Sequence, residues 1–114
     1  MVEIPINIKQ ALENYLVDLA HHYHLNHIVL FGSWATGTPH RDSDIDLAIF
    51  SSDATDENRL DIMADFLLKT MPFKLDIQPL VFPLSDYNSD NDFIQEEIIA
   101  RGIEISIPAA ETQN

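Results

Sequence analysis

Between Ile28 and Phe50 the chain reads Ile-Val-Leu-Phe-Gly-Ser-Trp-Ala-Thr-Gly-Thr-Pro-His-Arg-Asp-Ser-Asp-Ile-Asp-Leu-Ala-Ile-Phe, and this stretch limits what the rest can be. The run Ile28 to Phe31 is apolar, has two β-branched members and stops at Gly32. That predicts a short strand buried on both faces. Gly32 permits a sharp turn and the close approach of another group. Ser33 is placed to cap a short helix, Trp34 to Thr36, which Gly37 and Pro39 end. A helix start with N–H groups and a hydroxyl suits an anion, and phosphate is the usual one.

The second half of the stretch carries the opposite charge. From Ser43 to Phe50, Ile45, Leu47 and Ile49 alternate with Asp44, Asp46 and Ala48. Strand geometry points Asp44 and Asp46 the same way, roughly 7 Å apart along the chain. Neighbouring carboxylates repel and raise one another's pKa. A divalent cation relieves this, and Mg²⁺ favours one or two carboxylates together with phosphate oxygens. An Asp-x-Asp alone is commonly a solvated face, and a Gly-Ser alone is commonly a turn. The two in this order are far more specific.

Gly32-Ser33, ten residues and then Asp44-x-Asp46 resembles the signature of the nucleotidyltransferase superfamily that includes DNA polymerase β. The fuller string, Gly-Ser-Trp-Ala-Thr-Gly followed by Ser-Asp-Ile-Asp-Leu, resembles the minimal nucleotidyltransferase family, whose small members often act as antitoxins beside a HEPN-domain ribonuclease toxin. Thr36 departs from the pattern: it stands where the family often has an arginine, and Arg41 is a loop cation that could substitute. The resemblance implies an α/β (α+β) nucleotidyltransferase fold, a single domain with a small mixed sheet and packed helices. It implies ATP as nucleotide donor and Mg²⁺ on Asp44 and Asp46, with Gly32 and Ser33 holding the outer phosphates. It also implies a third carboxylate on the strand after the Asp-x-Asp unit. Asp76 matches that position, as metal ligand, general base toward an attacking hydroxyl, or both. Its acceptor would be a tyrosine of a cognate HEPN toxin, silenced by adenylylation in a hetero-oligomer. Two rivals stand beside this reading. One is an acidic antitoxin that acts by complex formation alone; the other is a small-molecule nucleotidyltransferase, which usually needs more chain for its acceptor.

Composition narrows the partners. The chain has 114 residues, enough for one domain with a core. Its net charge of −13 repels nucleic acid backbones and favours a basic protein partner, although acidity also serves solubility. Without cysteine there is no disulfide framework and no thiolate chemistry. No basic leader and no membrane-length apolar run is evident, which points to a soluble cytoplasmic protein.

The remaining elements follow from periodicity. Ile8 to Tyr23 has helical apolar spacing, and Asn7 with Gln10 resembles a capping box. His21, His22, His24 and His27 invite a metal, but histidine beside a helix C-terminus is better explained by the helix dipole. A second helix follows Asp56 and Glu57, with Leu60, Met63, Ala64, Leu67, Leu68 and Met71 as its expected buried stripe and Pro72 as its stop. Phe73 to Phe82 reads as a strand with Asp76 at its middle and Pro79 favouring an edge or bulge. Pro83 to Asp92 reads as a polar loop, and Phe93 to Arg101 as a helix with Gly102 at its C-terminal cap. Ile103, Ile105 and Ile107 predict a short final strand. The domain is expected over residues 1–107, with 108–114 a frayed tail.

Overall fold

A computed structural model describes residues 6–36 and 44–106. Asn7 lies inside the first helix, α1 (Ile6–Ala20), so it is not the residue before it. Leu12, Tyr15, Leu16 and Leu19 recur at helical spacing and are buried along one face. Strand β1 (His27–Phe31) follows, then the short helix α2 (Ser33–Thr36). Ser33 is the first residue of α2 rather than the residue preceding it. Strand β2 (Ile45–Ser51) leads through helix α3 (Arg59–Leu68) to strand β3 (Ile77–Pro83). The chain ends its described part with strand β4 (Ile103–Glu104). Gly37, Pro39, His40, Arg41, Ser43 and Ile107 lie outside the described residues, as does the expected tail at 108–114.

The four strands form one mixed sheet in the order β3-β2-β1-β4. β1 is antiparallel to both β2 and β4, while β2 and β3 run parallel across the α3 crossover. Parallel neighbours need such a crossover, and the expected mixed sheet with packed helices is what forms.

The sheet buries both faces, by different means. Ile45, Leu47, Ile49, Ile77 and Val81 point to the face that α1 and α3 cover, beside Leu12, Leu16, Phe66 and Trp34. Val29, Ala48, Phe50 and Phe82 point the other way, against Ile94 and Ile98. Those two isoleucines sit on a π-helix, Phe93–Ile99, in which the Ala100 N–H donates five residues back to the Gln95 carbonyl at 2.9 Å. The strands at the centre therefore read as near-continuous apolar runs, as strands covered on both sides do.

Three expectations need correction. The α3 stripe is mostly outside: Leu60, Leu67, Leu68 and Met71 are exposed, and the core side is Ile62 and Phe66. Periodicity finds a stripe but does not say which way the helix turns. The third strand begins at Ile77, not Phe73, because Met71–Phe73 forms a 3₁₀ turn and Lys74 takes the left-handed conformation at φ 56°. Asp76 therefore precedes the strand and is exposed. The loop expected over 83–92 contains a 3₁₀ helix, Leu84–Asn88.

Candidate active site

The C-terminal end of β1 and the starts of β2 and β3 meet at one edge of the sheet. Phe31, the last residue of β1, pairs with Asp46 on β2. Gly32 follows at once, with φ +76°, where a side chain would strain the backbone. Its carbonyl accepts from the Ala35 N–H at 3.0 Å, closing the turn into α2. A methyl group on Gly32 would run into the Asp46 carboxylate, meeting Oδ2 closely and Cγ at 3.2 Å. The sequence set Gly32 and Asp46 on neighbouring elements as candidates for holding phosphate and cation, and the fold packs the one against the other.

Asp44 and Asp76 stand at matching positions. Each immediately precedes its strand, and Ile45 pairs with Ile77. The Ile45 N–H donates to the Asp76 carbonyl at 2.7 Å, tying the two strand heads together. Adjacent strands lie about 4.8 Å apart, so the two backbones are near neighbours. Both residues are exposed, while Asp46 is half-buried. Burial, with the Asp44 carboxylate adding to it, pushes the Asp46 carboxyl above its ordinary pKa.

Sequence reasoning passed over Gln78, which pairs with Asp46 on the outer strand. A signal was available: Asp44-Ile-Asp46 and Asp76-Ile-Gln78 have the same pattern, and the register superposes them. Phe31 also shares this corner, its ring edge-on to Phe93 at 6.4 Å.

The donor set fits a hard cation. Asp44 just before β2 and Asp46 within it, the latter half-buried and disfavoured as an anion, gain from a nearby positive charge, and oxygen ligands suit Mg²⁺. Among the described residues no three His, Cys, Asp or Glu side chains are gathered into a metal cage.

The histidine cluster belongs elsewhere. His27 pairs with Phe50 at the opposite end of β1 from Phe31 and Asp46. His24 meets Asp53, its Nδ1 being 3.1 Å from Oδ2. His27 stacks on Tyr87 at 3.7 Å and meets Glu104 at 3.1 Å. These histidines join loops and strands and do not converge on one point.

A turn that holds glycine against a carboxylate, and acids at the heads of two parallel strands, mark the candidate site of this α/β domain. The family model described as "Polymerase beta, Nucleotidyltransferase" matches residues 8–108, and the chain belongs to that family. It also resembles a solved structure titled "Crystal structure of the toxin-antitoxin with AMP-PNP", with a TM-score of 0.55 and 23% identity over 83% of this chain and 73% of that one. At that identity the likeness speaks for the fold. Comparison with the curated proteins found no match. Among the described residues, no helix is long and apolar enough to cross a membrane.

Proposed function

We propose that this chain is a Mg²⁺-dependent nucleotidyltransferase that moves AMP from ATP to a tyrosine hydroxyl of a cognate HEPN ribonuclease toxin, and so acts as an antitoxin in the cytoplasm. The observation that carries the catalytic part is the contact between Gly32 and Asp46. It sets the Gly32 turn directly against the carboxylate, so that a cation held by Asp46 would lie beside the turn that would hold a phosphate. The similar structure is a toxin–antitoxin assembly solved with AMP-PNP, which favours an adenine nucleotide and a protein acceptor.

Asp44 and Asp46 would hold Mg²⁺, which when bound neutralises phosphate charge and polarises the phosphoryl group. Gly32 and Ser33 would hold the outer phosphates, keeping the α-phosphorus fixed for in-line attack. Asp76, exposed at the head of β3, would take the proton of the tyrosine hydroxyl. The tyrosine oxygen bonds to the α-phosphorus as the bond to the β-phosphate oxygen breaks, and pyrophosphate leaves.

The test is mass spectrometry of the toxin after incubation with this chain, ATP and Mg²⁺. A gain of one AMP on a tyrosine is expected, and Asp44→Asn with Asp46→Asn should abolish it. An unmodified toxin that is nonetheless inhibited in a stable complex would favour neutralisation by binding alone.

A further inference from the structure

Apart from Met63, which packs against the core, the amphipathic stripe of α3 is left exposed in the described fold. Leu60, Leu67 and Leu68 are 64%, 48% and 66% exposed, as is Met71 at 71% in the turn that follows, while Ile62 and Phe66 carry the burial of the helix. Helical spacing puts Leu60, Ala64, Leu67 and Leu68 on one face. A groove of about 280 Å³ runs between that face and β3, lined by Leu60, Met63, Leu67, Gln78, Pro79 and Leu80. β3 is the outermost strand on this side of the sheet among the described residues. Exposed apolar surface of this kind, grouped along a helix and a sheet edge, marks an interaction site.

We infer that this α3–β3 groove docks the protein acceptor, through an apolar ridge on the acceptor flanked by lysine or arginine side chains. The inference rests on the reading above that the acceptor is a protein. Charge decides between occupants. Exposed Asp56, Glu57 and Asp61 stand at the start of α3 beside the stripe. The nearby cations are largely engaged: Arg59 donates to the Val81 carbonyl at 2.9 Å, and Lys69 lies 3.7 Å from Asp65. A second copy, itself at −13, would bring like charges together, whereas a basic surface would find complements. Position gives the groove its use. Gln78 lines it and also pairs with Asp46, and Asp76 opens the same strand. A partner seated along β3 is thereby held beside the acidic corner.

The experiment uses the purified protein encoded by the adjoining reading frame as probe, titrated calorimetrically into this chain. Leu60→Glu with Leu67→Glu should weaken binding on the order of 30-fold, the loss typical of a central interface contact. Both positions are exposed, so thermal melting and ATP–Mg²⁺ binding should stay as in wild type. Wild-type affinity in the double variant would overturn the inference, as would a wild-type chain that does not bind the probe. Sedimentation of this chain alone should show a monomer; a dimer that the same variant dissolves would overturn it in favour of self-association. Failure of AMP transfer in a complex that forms through the groove would sink the catalytic reading and leave the docking surface standing.

Discussion

Gly32 constrains both the backbone and the candidate site at a single position. Gly32→Ala must hold a methyl group at φ +76° and against the Asp46 carboxylate. The left-handed conformation alone costs about 1–2 kcal/mol, and relief requires the carboxylate to move. The expected outcome is a lower melting temperature together with ATP–Mg²⁺ affinity reduced about tenfold or more, a loss of at least about 1.4 kcal/mol; calorimetric titration measures it, and normal affinity would refute the cradle. Glu104 gives a pH-dependent counterpart. Burial works against its ionised form, but hydrogen bonds from His27 and Tyr87 outweigh that and hold its pKa below the ordinary value of 4.5. A depressed carboxyl adds stability above its unfolded pKa and loses it as pH falls through the folded value. Glu104→Gln should therefore melt lower than wild type at pH 7, with the gap closing below the ordinary carboxylate range. A gap that persists at low pH would mean that packing, not charge, is at stake. That Gly32, Ser33, Asp44 and Asp46 fall at one corner of the sheet was legible because it depends on short spacings. Asp76 does stand beside them at the head of β3, but the argument from an acid inside an apolar strand does not hold, since it is exposed before the strand begins.

At the scale of elements, α3 is fastened from three sides. The Tyr15 hydroxyl on α1 donates to the Phe66 carbonyl at 2.8 Å, at the end of α3 where carbonyls lack partners within the helix. The Tyr23 hydroxyl donates to Asp65 at 2.6 Å, which pushes its pKa up to about 12. Arg59 lies over the Phe82 ring, 5.4 Å from its centre, while bonding to β3. Tyr15→Phe should lower stability by about 1–3 kcal/mol, since it removes a buried carbonyl's partner without opening a cavity. Urea denaturation should show the midpoint falling with an unchanged slope. A variant as stable as wild type would show that the hydroxyl is not what pins the helix. The order of helices and strands was readable from periodicity, turn residues and proline. The facing of α3 was not, because its two apolar rows differ in what covers them, and that is decided by β3 and α1 rather than by the helix. The start of β3 was hidden for a similar reason: Phe73, Lys74 and Leu75 look compatible with a strand, yet the chain must still turn off the helix there.

For the molecule as a whole, charge sets how it meets others. The chain carries 19 acidic and 6 basic residues, far more acid than three candidate catalytic aspartates require. Association with a basic partner should slow steeply as salt rises, because exposed charges are screened beyond roughly 8 Å at physiological ionic strength. Stopped-flow association rates across ionic strength measure this, and a flat dependence would leave the acidity to solubility alone. The pairing of β1 with β4 has a different consequence, for synthesis. β1 finds β2 soon after it is made, but among the described residues its other edge is closed by Ile103 and Glu104, with the Ile105 N–H adding a bond to the Ile28 carbonyl at 2.8 Å. Until that late segment leaves the ribosome, the nascent chain presents an open, apolar strand edge of the kind that recruits other chains. A ribosome paused before codon 103 would hold a chain with its candidate catalytic corner already encoded and its sheet unfinished.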